Sequence, residues 1–133
     1  MEVKKLTTLI QNATPFIKLL DIKILKADGD GYVEMEMPIK PEFTQDMGHA
    51  HGGAIGTLAD FASNLAIRQP TVTVEYKINF IAPGAGDTLF ATAKTIKQGR
   101  QLSIVQSHIY AVEDEKRTLV ATCLATLIPA TPH

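Results

Sequence analysis

The sequence predicts an α+β fold in which a curved antiparallel sheet covers one long, apolar helix. Three observations predict it. Residues 53–67 are apolar around most of a helical projection, the hydrophobic period changes from 3.6 to 2 near residue 71, and turn residues separate every later segment. A chain of 133 residues, 45% of them hydrophobic, is the size of one domain with a substantial core. We therefore expect residues 1–133 to form a single domain.

The first part of the chain predicts two short helical pieces and a hairpin. Residues 3–13 carry a helical apolar stripe that Pro15 ends, and residues 16–20 form a second apolar turn, which gives a helical segment of about 3–20. Two strands, 22–27 and 32–38, flank the turn sequence Asp-Gly-Asp-Gly. Residues up to Gly48 then predict a loop.

The second part predicts the long helix and the rest of the sheet. The helix 53–67 ends near Pro70, and apolar and polar residues alternate from there to Phe80, as in a half-buried strand. Three more strands are predicted at 88–96, 101–112 and 118–128. The last of these is apolar or small on both faces, so we expect it inside the sheet rather than at an edge.

Composition narrows the class of protein. The net charge of -1 and the lack of a basic run argue against nucleic-acid binding. No segment approaches the roughly 18 to 20 apolar residues of a membrane span, and the first twenty residues lack a signal-peptide pattern. Cys123 is the single cysteine, which excludes an internal disulfide. We expect a soluble, cytoplasmic protein.

The most informative segment is Gly48-His49-Ala50-His51-Gly52-Gly53, which leads into the long helix. Glycines before a helix let a ligand approach free N–H groups at the positive end of the helix dipole. Along the helix, the polar or small residues Gly53, Thr57, Asp60 and Asn64 fall on one stripe. A carboxylate on such an apolar helix is costly unless something pairs with it or uses it. The segment therefore indicates an anion site and a functional acid.

The spacing within this segment limits how the two could cooperate. Gly53 and Asp60 are seven residues apart, or about 10 Å along a helix, beyond the reach of one bridging water. A second subunit brought in antiparallel would place its Asp60 opposite this Gly53. A sheet covered by only one strongly apolar helix also favours association, and a symmetric dimer is the commonest form.

Two stretches together resemble a known family. Residues 45–53, Gln-Asp-Met-Gly-His-Ala-His-Gly-Gly, are followed by Asp60 and by the strand Thr-Val-Glu-Tyr-Lys-Ile-Asn-Phe-Ile-Ala-Pro at 73–83. This pattern resembles the hotdog-fold acyl-CoA thioesterases, in particular the PaaI-like (phenylacetate-pathway-type) branch of the 4-hydroxybenzoyl-CoA thioesterase superfamily. The resemblance covers about residues 15–128. It implies a hotdog fold and hydrolysis of an acyl-CoA thioester to a carboxylic acid and coenzyme A.

The resemblance also implies roles for individual residues. Gly53, and in addition Gly52, would supply the backbone N–H that polarises the thioester carbonyl, and Asp60 would act as general base or as nucleophile. It implies no metal and no cofactor beyond the coenzyme A of the substrate. It further implies a homo-oligomer, a dimer that pairs into a tetramer.

Supporting roles follow from the same resemblance. His51 would shape the turn near the thioester, and Thr73 would hold the water or the acid. Gln45 stands where many relatives have asparagine; its longer amide could still bind the nucleophilic water. Thr57 and Asn64, on the stripe of the acid, would support it or line the acyl pocket.

Coenzyme A carries phosphates, and the resemblance implies that two turns contact its nucleotide or its pantetheine arm. Pro83 and Gly84 offer a loop of close approach, and Lys97 and Arg100 flank the glycine of a tight turn. Lysine and arginine in turns are usually only solvated, so this signal has low specificity.

Structural interpretations compete with these roles. Asp60 could be a hydrogen-bonded structural acid, and the glycines could simply open a helix. His49 and His51 are spaced like a metal pair, but the sequence shows no further ligands to complete a site. His108 alternates with apolar neighbours in a strand, and Cys123 has the surroundings of a small core residue.

Two other functions remain open from the sequence. A dehydratase or hydratase of the same fold needs a His-Phe-Pro-Gly-type signature, which this chain lacks. A non-catalytic module that binds or senses acyl-CoA would not need both the glycine pair and Asp60.

Overall fold

The computed structural model describes residues 2–130, which form three α-helices and six strands. The helices are α1 (Val3–Ala13), α2 (Pro15–Leu19) and α3 (Gly52–Ala66), and the strands are β1 (Lys23–Ala27), β2 (Tyr32–Pro38), β3 (Thr71–Phe80), β4 (Thr88–Gln98), β5 (Ser103–Glu113) and β6 (Lys116–Pro129). One 3₁₀ turn, Pro41–Phe43, lies in the predicted loop between β2 and α3. Every predicted helix and strand is present, with boundaries within two residues. Among residues 2–130, no helix is long and apolar enough to cross a membrane.

The six strands form one antiparallel sheet in the order β1-β2-β4-β5-β6-β3. β6 pairs with β5 on one side and β3 on the other, which confirms the interior position predicted from its two apolar faces. β3 forms one edge of the sheet although it precedes β4 in the chain. The connection from β3 to β4 therefore crosses to the other side of β5 and β6.

The core lies between α3 and the sheet. Leu58, Ala59 and Ala62 of α3 are fully buried, as are Leu89, Ile109 and Leu127 on the sheet. The small side chains of α3 let its backbone approach the strands closely, and the long apolar strand residues fill the remaining space. This packing is the predicted architecture, a hotdog fold with the sheet wrapped around one helix.

One prediction about the sheet is wrong for the single chain. The alternation in β3 predicted a half-buried strand, yet Val74 is 58% exposed and Phe80 is 56% exposed. The physical reason is a bulge between Thr73 and Glu75 in this outermost strand. Thr73 and Phe80 both face α3, so Val74 lies on the opposite face of the sheet, where no helix covers it, and Phe80 lies at the rim beside Gly52. The apolar residues of β3 therefore do not share one face, as the alternation predicted.

The N-terminal helices are fixed to the other edge of the sheet by polar contacts. Gln11 Nε2 donates to the Ile22 carbonyl at 2.8 Å, and the Ile24 N–H donates to Thr7 Oγ1 at 3.0 Å. α2 follows directly, with Ile17 buried in the core. α2 is therefore held next to the 3₁₀ turn and the start of α3.

Candidate active site

α3 runs antiparallel to β3, and the residues of one face of α3 meet successive residues of β3. A side chain at Gly52 would lie 3.5 Å from the Phe80 ring, and one at Gly56 would lie 3.3 Å from the Tyr76 hydroxyl. Farther along, Asn64 reaches the start of β3. The face of α3 that meets β3 therefore carries Gly52, Gly56, Asp60 and Asn64. In the first part of the helix this face is shifted by one residue from the predicted stripe, which began with Gly53 and Thr57.

Asp60 is held by a directed chain of hydrogen bonds. Thr71 Oγ1 donates to Asn64 Oδ1 (2.7 Å), Asn64 Nδ2 donates to Thr73 Oγ1 (2.8 Å), and Thr73 Oγ1 donates to Asp60 Oδ1 (2.6 Å). Asn64 Nδ2 also lies 3.3 Å from Asp60 Oδ1. Each member fixes the orientation of the next, because a threonine hydroxyl that accepts from an amide has its own proton left to donate.

The hydrogen-bond chain leaves one carboxylate oxygen of Asp60 free to act. Both donors converge on Asp60 Oδ1, and no residue in the described range donates to Oδ2. The apolar helix around Asp60 predicted a buried acid, but Asp60 is half-buried, since β3 covers only one side of it. A half-exposed carboxylate with one oxygen fixed can accept a proton from a water on its other oxygen.

Thr71 is a member of the site that sequence reasoning missed. It stands two residues before Thr73 on the same face of β3, and the Thr-Val-Thr pattern was the signal that could have identified it. Thr57, in contrast, does not reach the acid, because its hydroxyl donates to the Gly53 carbonyl at 2.8 Å.

The start of α3 is capped by His51. Its Nδ1 accepts a hydrogen bond from the Gly53 N–H at 2.8 Å, and its carbonyl accepts from the N–H groups of Ala54 and Ile55. The expected structural role of His51 thus has a specific geometry. The Gly53 N–H, named first as the oxyanion donor, is already engaged.

Gly52 is the better candidate for the oxyanion donor. It is the first helical residue, and its N–H has no acceptor in the part of the chain that the structure describes. The N–H therefore points out of the helix at the positive end of the dipole. Of the two glycines predicted for this role, the geometry favours the one that was named second.

His51→Ala is expected to lower the free energy of unfolding by about 1 kcal/mol, because the Gly53 N–H loses its cap. His51→Asn, whose short side chain also caps helices well, should recover most of that loss. Urea unfolding of the three proteins measures the difference. Equal stability of the alanine and asparagine variants would contradict a capping role.

Gln45 folds the turn that precedes α3. Its Oε1 accepts from the N–H groups of Met47 (2.7 Å) and His49 (3.1 Å), and its own N–H donates to the His49 carbonyl. The side-chain oxygen is therefore occupied within the loop. The Nε2 amino group is the part of Gln45 that could donate to a bound molecule.

Asp60 and Gly52 are not brought together within one chain. They are eight residues apart on α3, about 12 Å at the rise of a helix. Gly56 lies midway between them and faces Tyr76. Each chain therefore carries one polarising N–H and one carboxylate that cannot serve the same small reacting group.

The four residues predicted to contact coenzyme A lie in different places. Pro83 lines a cleft of about 530 Å³ with His49 and Lys116. Gly84 is buried, and a side chain there would meet Ala50 at 2.8 Å, so its closeness serves packing rather than a ligand.

The other two, Lys97 and Arg100, line a separate cleft of about 250 Å³ at the β4–β5 turn. The register across the sheet puts this turn at the same end as Thr73, because Gln98 is level with Ser103 and, through β6, with Thr73. Within one chain these two cations are therefore far from Gly52, which begins α3 at the opposite end of the sheet.

Cys123 and the histidine pair do not form a second site. Burial raises the pKa of the Cys123 thiol, and the negative charge of Asp60 raises it further, so the thiol has little tendency to ionise. This agrees with its interpretation as a core residue. Among residues 2–130, no group of three or more His, Cys, Asp or Glu side chains is arranged to hold a metal ion.

Comparison with known proteins now identifies the family. The thioesterase superfamily profile matches residues 47–118, more than half of the chain. The chain belongs to the thioesterase superfamily. Its match includes the capped start of α3, Asp60, and the whole hydrogen-bond chain from β3.

Individual thioesterases are similar over most of their length. The chain is 32% identical to the acyl-coenzyme A thioesterase PaaI of Escherichia coli over 77% of this chain and 74% of that protein. It is 32% identical to human acyl-coenzyme A thioesterase 13, over 77% and 75%. A thioesterase family protein from Silicibacter pomeroyi has the same fold, with a TM-score of 0.85, 28% identity, and coverage of 96% and 97%.

These findings confirm the family resemblance and the hotdog fold. They also confirm that this thioesterase is a thioester hydrolase. The roles of individual residues, the oligomeric state and the compartment stay predictions.

Proposed function

We propose that this thioesterase hydrolyses acyl-CoA thioesters to a free carboxylic acid and coenzyme A. The observation that carries the proposal is the arrangement on α3, a free N–H at Gly52 and a carboxylate at Asp60 with one oxygen fixed. The names of the relatives, acyl-coenzyme A thioesterases from Escherichia coli and human, support this substrate class.

The reaction uses the start of α3 and the side chain of Asp60, near its middle, for different charges. The thioester carbonyl oxygen accepts a hydrogen bond from the Gly52 N–H. The helix dipole there stabilises the negative charge of the tetrahedral intermediate. Asp60 Oδ2 takes a proton from water as the water oxygen bonds to the carbonyl carbon. Collapse of the intermediate breaks the carbon–sulfur bond, and the leaving coenzyme A sulfur takes the proton from Asp60, which regenerates the carboxylate. None of these steps needs a metal or redox cofactor.

We further propose that each site is shared between two copies of the chain. If Gly52 of one copy faces Asp60 of the other, an antiparallel pair is centred on Gly56, which lies midway between them. Tyr76, which meets Gly56, then lies at the same centre on β3. The exposed apolar residues of the β3 edge support this pairing, because an uncovered ten-residue edge strand favours association with a second strand.

The same pairing brings the remaining predicted contacts nearer to the thioester. The Lys97–Arg100 turn lies at the Asp60 end of the sheet, so in an antiparallel dimer the turn of the second copy approaches the Gly52 end of the first. We propose that these cations meet the phosphates of coenzyme A there, while Pro83 lines the path of the pantetheine arm. We also propose that two such dimers pair into a tetramer.

Gln45 and the compartment complete the proposal. Gln45 Nε2, left free by the loop, donates to the attacking water or to the carbonyl oxygen. The single cysteine, which is buried and unpaired, is consistent with the reducing cytoplasm that we propose as the compartment.

The direct test is an assay of the unmodified protein on several acyl-CoA thioesters, with free thiol followed by a chromogenic reagent and the acid product by mass spectrometry. We expect equimolar release of thiol and acid, unchanged by a metal chelator. Enoyl or hydroxyacyl products without free thiol would instead indicate a dehydratase or hydratase. Tight binding of acyl-CoA without any product would indicate a sensing module.

A further inference from the structure

An apolar cleft of about 330 Å³ opens beside the start of α3. We name it the α2 cleft. Its principal lining residues come from α2, from the 3₁₀ turn and from the capped end of α3: Phe16, Leu19, Leu20, Phe43, His51 and Gly53. Its volume is at the small end of the range for ligand pockets, which suits one short chain or one ring.

We propose that the α2 cleft binds the acyl group of the thioester and selects for an uncharged, apolar acyl group of medium length. This inference rests on the proposed acyl-CoA hydrolysis and deepens it. Its starting point is continuity, because His51 and Gly53 line the cleft on either side of Gly52 in the chain. A carbonyl bound at the Gly52 N–H would lie at the mouth of the cleft.

The lip of the cleft is apolar and exposed although its helix is firmly held. Phe16 is 52% exposed and Leu19 is 64% exposed, while Ile17 and Leu20 of the same segment are buried in the core. The anchored segment therefore keeps two large apolar side chains in solvent, at a cost that an apolar ligand would offset.

The charge of the lining predicts which acyl groups are rejected. Glu42 is its one charged residue in the described chain. Lys40 lies nearby, 5.8 Å from the Phe43 ring, but it pairs with Asp21 at 3.7 Å and is not part of the lining. An acyl group that ends in a carboxylate would meet apolar walls and a like charge.

The second cleft near α3 is chemically different, which separates the two halves of the substrate. His49, two residues before His51, lines the larger cleft together with Glu113, Asp114 and Lys116. Such a mixed and charged lining suits the polar pantetheine arm better than a hydrocarbon. The α2 cleft is thus left for the acyl group.

The first test compares two substrates that differ only in acyl length. Leu19→Ala should lower kcat/KM for hexanoyl-CoA about tenfold and leave acetyl-CoA nearly unchanged, because a two-carbon group does not reach the lip. Leu9→Ala is the matched control, since Leu9 is also exposed on a helix but lies outside the cleft. We expect it to change neither value.

The second test uses charge. Glu42→Lys should raise kcat/KM for glutaryl-CoA about tenfold relative to hexanoyl-CoA, whereas Asp28→Lys, an equal change of charge in the β1–β2 turn, should not. Unchanged ratios in both Leu19→Ala and Glu42→Lys would overturn the inference. So would an altered oligomeric mass of Leu19→Ala without altered selectivity, which would assign the cleft to a contact between copies.

The failure of this inference differs from failure of the proposed function. If the unmodified protein released no thiol from any acyl-CoA, the hydrolysis itself would be wrong. If it hydrolysed hexanoyl-CoA with selectivity that the variants did not change, only the place of the acyl group would be wrong.

Discussion

Asp60→Asn is expected to lower kcat for acyl-CoA hydrolysis by about 10³-fold, with a much smaller change in KM. The carboxylate supplies the oxygen that takes a proton from water, and an amide has no comparable basicity. The substrate is held by other groups, so its binding should be nearly unaffected. Steady-state kinetics on the best acyl-CoA substrate measure both constants.

The asparagine substitution is well matched to the geometry. The carbonyl oxygen of the new amide can still accept from Thr73 Oγ1 and Asn64 Nδ2, as Asp60 Oδ1 does at 2.6 and 3.3 Å. The variant should therefore keep its fold and oligomeric mass, which circular dichroism and sedimentation would verify. Near wild-type turnover in a folded variant would contradict a catalytic role for Asp60.

A single turnover in ¹⁸O-labelled water detects a nucleophilic Asp60 whose anhydride is hydrolysed at the aspartyl carbonyl. If Asp60 is a general base, the attacking water oxygen carries the label directly into the acid product. As a nucleophile it forms a mixed anhydride, and hydrolysis at the Asp60 carbonyl would place label on the enzyme and leave the first product unlabelled. We expect labelled product, because the fixed Oδ1 and free Oδ2 suit a base that holds water.

The sequence predicted the fold well because its decisive patterns are local. The 3.6 period of α3 and the change to period 2 at β3 depend only on which face of each element is apolar, and both elements lie where expected. The exposure of Val74 and Phe80 was not predictable in the same way. Alternation predicts one apolar face for the whole strand, and it does not reveal the bulge between Thr73 and Glu75 that puts Val74 and Phe80 on opposite faces.

The sequence predicted which residues form the candidate site better than it predicted the contacts between them. Asp60 and Asn64 share a helical face, so their proximity follows from spacing, and Thr73 joins them because α3 runs antiparallel to β3. The capping of Gly53 by His51 depends on one side-chain rotamer, which no spacing rule determines. For that reason the structure moves the candidate oxyanion donor from Gly53 to Gly52.

Gly52→Pro is expected to lower kcat about 10² to 10³-fold, the usual effect of removing one oxyanion donor. Proline lacks the N–H and is well tolerated at the first position of a helix. His51, the preceding residue, has φ -66° and ψ 139°, a conformation that suits a residue before proline. Kinetics on the same substrate as for Asp60→Asn give the comparison.

Gly52→Ala is the control for the added bulk. It keeps the N–H and adds a methyl group 3.5 Å from the Phe80 ring, an ordinary contact. The alanine variant should retain most of its activity. If the proline and alanine variants were equally active, Gly52 would not be the donor.

The two variants together test whether the site is shared. In a mixed dimer of Gly52→Pro and Asp60→Asn chains, one site combines both substitutions and the other has neither, because Gly52 comes from one chain and Asp60 from the other. Random pairing after joint refolding at equal amounts makes half of the dimers mixed, so about a quarter of wild-type activity should return. Sites built within one chain would each carry one substitution and stay inactive in every mixture. Recovery therefore requires that α3 of each copy contributes Gly52 to one site and Asp60 to the other, which is the arrangement that their separation of about 12 Å, at about 1.5 Å per residue, demands.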